Sequence, residues 1–110
     1  MQGKLYIVAT PIGNKDDITV RAISTLTSVD IIAAEDTRVA SKLLSLLCIP
    51  KKHIISINEF ATKENFDYIK DFLKEGKNVA YVSDAGTPGI SDPGAMLVSS
   101  CRDDDIDIIP

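Results

Sequence analysis

The sequence predicts an α/β fold, a three-layer α/β/α sandwich built on a mainly parallel five-stranded sheet, as one domain spanning residues 1–110. Three observations carry this expectation. Five apolar runs of strand length, rich in Ile and Val, alternate with four segments of helical period. The first, second and fourth runs lack strict apolar–polar alternation, as strands covered on both faces do. The chain is 45% hydrophobic and 25% charged, which places it far from disordered compositions and provides for a continuous core.

The elements follow in order. Leu5 to Ala9 is the first strand run. Asp16 and Asp17 then open a helical segment with Ile18, Ala22, Leu26 and Val29 on one face and carboxylates at the positive end of its dipole. Val29 to Ala34 is the second strand run. After Thr37, a second helix gathers Val39, Ala40, Leu43, Leu44 and Leu47 and stops before Pro50. The third run is Ile54 to Ile57. A third helix starts at Thr62, carries Phe66, Ile69, Phe72 and Leu73 inward, and ends at Gly76. Val79 to Val82 is the fourth run. The fourth helix is capped by Asp92, has Pro93 in its first position, and turns Leu97, Val98 and Cys101 to one side. Ile106 to Ile109 is the fifth run. Strand and helix in strict succession imply right-handed crossovers with helices on both faces.

Composition excludes several function classes. No apolar run approaches the roughly 18 residues needed to span a bilayer, and Lys4, Lys15 and Arg21 crowd the first apolar segment too closely for a signal peptide. A soluble, cytoplasmic protein is expected. Cys48 and Cys101 have no metal-ligand spacing and read as buried free thiols. The net charge of -4 argues against a module that holds nucleic acid by an extended basic face of its own, without excluding an RNA substrate. Arg38, Lys42, Lys51, Lys52 and His53 form one local basic patch or lie as scattered solvated side chains; the residues alone leave both open. Asp103, Asp104, Asp105 and Asp107 are expected in a solvated turn, with no metal site. His53 reads as a surface residue in a connector, and Tyr6, Tyr81 and Phe72 as core.

In a parallel sheet every strand-to-helix loop leaves at the carboxyl edge, where ligands bind near a switch in strand order. The unusual residues fall in those loops: Thr10-Pro11-Ile12-Gly13-Asn14, Glu35-Asp36-Thr37-Arg38, Asn58-Glu59-Phe60, and the segment from Ser83 to Gly94. The reverse loops, Cys48 to His53 and Gly76 to Asn78, read as ordinary connectors. The loop from Ser83 to Gly94 holds three glycines and two prolines before its last residue or at it, a bent backbone that a bulky ligand can approach closely. Neither G-x-G-x-x-G nor a Gly-Lys-Ser/Thr phosphate loop is present, so a neutral or cationic ligand suits it better than a phosphate.

The segments Ile7 to Asn14 with Asp17-Ile18-Thr19, then Ala34 to Arg38, then Val82 to Gly94, closely resemble the small-subunit ribosomal RNA (cytidine-2'-O)-methyltransferase I family, a branch of the tetrapyrrole (corrin/porphyrin) methylase superfamily. The resemblance covers essentially the whole chain. It implies that S-adenosylmethionine binds in a cleft between two α/β domains and gives its methyl group to a cytidine ribose 2'-hydroxyl in small-subunit ribosomal RNA. It further implies that this chain is the amino-terminal domain, one wall of the cleft, inactive without the absent carboxy-terminal domain, and that the enzyme pairs as a homodimer.

A sulfonium cofactor favours nearby carbonyl dipoles and carboxylates. Ser83, Asp84, Gly86, Thr87, Gly89 and Ser91 are the cofactor-binding candidates. Glu35, Asp36 and Asp84 are candidate bases for the hydroxyl proton; Asp36 also fits a helix cap or a pair with Arg38. Pro11, Gly13, Asn14 and Arg38 are assigned to the substrate side, with a turn or a structural ion pair as their plainer roles. Phe60 is the aromatic placed to stack on a base. The competing readings are a non-catalytic binding or dimerisation module and methylation of a tetrapyrrole.

Overall fold

The structure, a computed structural model, describes residues 1–10, 17–84 and 92–110, the side chain of Asp84 excepted. Its elements run β1 (Leu5–Thr10), α1 (Val20–Ser28), β2 (Ile31–Ala34), α2 (Thr37–Leu46), β3 (His53–Ser56), α3 (Lys63–Lys74), β4 (Val79–Asp84), α4 (Asp92–Asp103) and β5 (Ile108–Ile109). The five strands form one sheet in the order β3-β2-β4-β1-β5, and every pairing is parallel.

That order explains the layers. The chain steps one way from β1 through β2 to β3, then back the other way through β4 to β5. Right-handed crossovers therefore send α1 and α2 to one face and α3 and α4 to the other. The side chains obey this. Ala22 and Leu26 of α1 and Ala40 and Leu44 of α2 pack with Val8, Ile32, Ala34 and Ala80. Phe66, Ile69 and Leu73 of α3 and Leu97 and Cys101 of α4 pack with Leu5, Ile31, Ala33, Val79 and Tyr81. Successive residues of β2 and β4 thus point to opposite faces, and both faces are apolar. Each fully buried Leu or Ile here contributes roughly 2 kcal/mol of transfer free energy.

Helix ends account for most differences from the sequence expectation. The first helix begins at Val20, and Thr19 rather than Asp16 or Asp17 caps it, its Oγ1 accepting from the Ala22 amide at 3.1 Å. No acidic residue lies in that first turn; Asp16 itself is outside the described residues. Val29 is the C-cap of α1, its N–H bonded to the Thr25 carbonyl at 3.0 Å, so β2 starts two residues later than its apolar run.

Three helices close at the amino edge of the sheet with the same double hydrogen bond. In α3, Lys77 N bonds Phe72 O and Gly76 N bonds Leu73 O, with Gly76 at φ 99°. In α2, Ile49 N bonds Leu44 O and Cys48 N bonds Ser45 O, with Cys48 in the left-handed position at φ 57°. In α4, Ile106 N bonds Cys101 O and Asp105 N bonds Arg102 O, with Asp105 at φ 57°. This corrects the reading of Cys48 as buried. The left-handed turn swings its side chain into solvent while Ile49, the next residue, is tucked against Leu44. Cys101 is buried as expected, and desolvation pushes its thiol up to about 11. The same turn shortens β5, because the Ile106 amide is spent on the helix end and cannot join the ladder.

The reverse loop at Gly76 to Asn78 is more than a connector. The Asn78 side-chain oxygen accepts from Lys4 N at 2.9 Å, the Asn78 backbone N–H donates to Asp30 Oδ2 at 2.9 Å, and its backbone carbonyl accepts from the amides of Asp30 and Ile31. One residue thereby ties the amino ends of β1, β2 and β4. Gly3 has no room for a side chain there, since a Cβ would overlap the Lys77 carbonyl.

On the α3/α4 face the Asp104 carboxylate, expected in a solvated turn, bridges Lys70 at 3.2 Å and Lys74 at 2.9 Å. Lys70 also meets Asp67 at 3.5 Å. Burial alone pulls the Lys70 ammonium down, but its bonds to Asp104 and Asp67 outweigh that and leave its pKa raised. Hydrogen bonds from Lys74 and then Lys70 hold the Asp104 carboxyl below its usual range.

Candidate functional site

All four strand-to-helix loops leave at the carboxyl edge, and the strand order fixes their sequence across it: the loop after β3, then after β2, then after β4, then after β1. The register sets their heights. Ala34 pairs with Val82 and Thr10 with Asp84, so β2 releases Glu35 and Asp36 level with the last two residues of β4. Adjacent strands are roughly 4.8 Å apart. The Glu-Asp-Thr-Arg segment, the end of β4 and the end of β1 are therefore immediate neighbours, with helices leaving them toward opposite faces. Divergence of this kind marks the usual ligand position in such sheets.

Thr10 is fully buried, and its Oγ1 donates to the Ser83 carbonyl at 3.3 Å. This bond ties the ends of β1 and β4 at the carboxyl edge. Thr10 opens the first motif, but its own part in the site went unread in the sequence; a polar residue ending an apolar run was the available signal.

Asp36 is the N-cap of α2. Its Oδ1 accepts from Arg38 N at 2.9 Å, and its carboxylate meets the exposed Arg38 guanidinium at 3.4 Å. Side-chain and then backbone hydrogen bonds from Arg38 lower its pKa. A carboxylate so held is a weaker base, which favours the structural role for Asp36 over the catalytic one. Glu35 is exposed beside it, and its backbone carbonyl accepts from Ser56 Oγ at 3.3 Å.

Past β3, Asn58 builds the loop: its Oδ1 accepts from Phe60 N at 2.8 Å and its carbonyl from Ala61 N at 2.9 Å. The turn leaves Phe60 80% exposed at the ligand edge, unlike the other two phenylalanines, which pack inward. His53 is a surface residue as expected, but it begins β3 rather than lying in a connector, and its ring stands edge-on to Tyr68 and Phe72.

Of the remaining site candidates, Ser83 is half-buried on β4 and Asp84 ends that strand. Pro11, Gly13, Asn14, Gly86, Thr87, Gly89 and Ser91 lie outside the described residues. Among the described residues the edge offers hydroxyls, carbonyls and carboxylates, with Arg38 beside Asp36 at its margin. Asp92 lies within the first turn of α4 rather than at its cap, and Pro93 and Gly94 are buried.

A model of the tetrapyrrole (corrin/porphyrin) methylases matches residues 4–110. The chain belongs to that family. Among solved structures, the uroporphyrin-III-C-methyltransferase of Thermus thermophilus superposes on this methylase chain with a TM-score of 0.72 at 18% identity, covering 100% of this chain and 48% of that one. A cobalt precorrin-4 methyltransferase gives 0.71 at 24%, covering 97% and 45%. At such identities the agreement is one of fold. Sequence relatives are nearer. A protein named ribosomal RNA small subunit methyltransferase I from Thermotoga maritima is 54% identical over 110 residues, 98% of this chain and 49% of its own length. Its namesake from Haemophilus influenzae is 50% identical over 110 residues, 100% of this chain and 38% of its own. This methylase chain thus spans half or less of the relatives it resembles.

Proposed function

We propose that this methylase chain is the amino-terminal half of a two-domain, S-adenosylmethionine-dependent enzyme that methylates a cytidine ribose 2'-hydroxyl in small-subunit ribosomal RNA. The observation that carries the reading is the identity of about half its residues, across nearly its whole length, with proteins named for ribosomal RNA methylation. The same relatives favour the RNA branch over tetrapyrrole methylation, since the tetrapyrrole enzymes match in fold alone.

The carboxyl edge fits the cofactor in kind. A sulfonium cation is stabilised by carbonyl dipoles, hydroxyls and carboxylates, and Ser83, Glu35 and Asp36 supply these around the Thr10–Ser83 bond. Ser83, Asp84, Gly86, Thr87, Gly89 and Ser91 are assigned to holding it. Bound there, the cofactor would supply an electrophilic methyl group, its sulfonium becoming a neutral thioether as the methyl passes to the ribose oxygen. The chain's own task is to align that oxygen, which can account for much of such an acceleration, and to take the proton. Asp84 and Glu35 are the assigned bases; Asp36 shapes the start of α2 and holds Arg38. Pro11, Gly13, Asn14 and Arg38 are assigned to the RNA side. The missing wall belongs to a second domain, so the chain alone is inactive, and the whole enzyme is read as a cytoplasmic homodimer. Among the described residues no helix is long and apolar enough to cross a membrane.

Incubating the full-length protein with methyl-labelled S-adenosylmethionine and small ribosomal subunits should label the RNA, and Asp84→Ala should reduce the label sharply. Absence of label in the RNA, or its appearance on an added tetrapyrrole instead, overturns the proposal.

A further inference from the structure

A groove of about 830 Å³ runs along the exposed side of α2, between that helix and the segment leading into β3. Arg38, Lys42, Lys51 and Lys52 line it, four of the chain's 12 lysines and arginines, with the hydroxyls of Ser41 and Ser45 between them. No Asp or Glu is among its lining residues. In a chain of net charge -4 this is a local concentration of positive charge.

The spacing is built by the helix. Arg38 and Lys42 are one turn apart, as are Ser41 and Ser45, so cations and hydroxyls form neighbouring rows along one face. The 10 residues of α2 span roughly 15 Å. Arg38 stands at the carboxyl edge, and Lys51 and Lys52 at the opposite end. Lys52 is itself fixed, its Nζ donating to the Thr27 and Val29 carbonyls at 2.9 and 2.8 Å at the end of α1. Lys42 and Lys51 enter no ion pair among the described residues, whereas Lys63, Lys70 and Lys74 on the other face all do. Arg38 alone in the groove has a carboxylate partner, Asp36.

We propose that this groove carries the phosphodiester backbone of the RNA substrate away from the catalytic edge, with Lys42 and Lys51 as its principal phosphate contacts. The inference rests on the RNA reading above and extends it to a surface outside the site. Cations in a row, hydroxyl donors between them and no carboxylate are what a polyanionic strand requires, and the groove is continuous with the candidate site through Arg38.

The test uses the full-length protein, a single-stranded RNA oligonucleotide and small ribosomal subunits. Lys42→Gln/Lys51→Gln should weaken oligonucleotide binding several-fold near 0.1 M salt and reduce the slope of log affinity against log salt by about 0.7 per lysine removed. It should raise KM for the ribosomal substrate while leaving kcat and S-adenosylmethionine affinity in place. Lys63→Gln/Lys77→Gln, the same charge change elsewhere, should alter none of these. An unchanged affinity and salt slope in the groove variant overturns the inference even if the enzyme methylates RNA. So does loss of binding to phosphatidylserine vesicles with RNA binding intact. A lysine-dependent salt slope in a protein that methylates no RNA upholds the groove and sinks the proposed reaction, so the two failures are distinguishable.

Discussion

The two faces of the sheet carry their charge in opposite ways. Between α3 and α4, the near-buried Lys70 sits among Asp67, Asp104 and Lys74, and the lysines and carboxylates there neutralise one another. Along α2, Lys42 and Lys51 line an open groove in which, among the described residues, Arg38 pairs with Asp36. The first arrangement ties two helices together; the second leaves charge available to a partner. Net charge, which averages them, shows neither.

The contrast can be broken most forcefully by reversing one charge on each face. Lys70→Glu places a carboxylate beside Asp67 and Asp104 in a nearly solvent-free position, and urea denaturation should show a loss of about 3 kcal/mol or outright unfolding. Lys42→Glu, at an exposed position, should stay within about 0.5 kcal/mol of the parent in the same measurement. Equal losses would abolish the distinction.

At the top of the groove, Asp36→Ala should lower the melting temperature by a few degrees through loss of the α2 cap, while Asp36→Asn, which can still cap, should recover most of it. If Asp36→Asn retains stability and methyl transfer, the residue is structural; retained stability with abolished transfer would return it to the catalytic group.

Just past the end of α2, Cys48→Gly should stabilise by about 0.5–1 kcal/mol, since a β-carbon at φ 57° is strained and glycine is not. Thiol labelling near pH 8 should modify Cys48 and spare Cys101, which is buried with its pKa near 11.

The smallest effect concerns acid. Because Lys74 and Lys70 depress the Asp104 carboxyl below 3.8, its stabilisation is complete above that pH and is lost as pH falls through the lower folded-state value. Stability of the parent should therefore fall more steeply below pH 4 than that of Asp104→Asn, measured as urea midpoints across an acid series.

Much of the architecture was legible because it depends on local pattern. Strand runs, helical faces, the Asp36 cap and the Gly76 stop all follow from side-chain chemistry within a few residues. The reading of Cys48 as buried failed for a local reason: Cys48 takes a left-handed turn that glycine would have announced, and closing α2 against the sheet overrides its own preference. At α1, Thr19 serves as the cap because its hydroxyl reaches the Ala22 amide from an extended backbone. Within the candidate site, the Asp36–Arg38 pair was readable two residues apart, whereas the Thr10–Ser83 bond joins residues 73 apart in sequence and was not.

By itself, then, the sequence determined the fold class, the family and the edge on which its motifs fall, because these are recorded in periodicity and in contiguous segments. Only the tertiary structure decided which charges neutralise each other. Lys70 reaches Asp104 because a crossover brings α3 and α4 onto one face, and no local pattern encodes which face a lysine will find occupied.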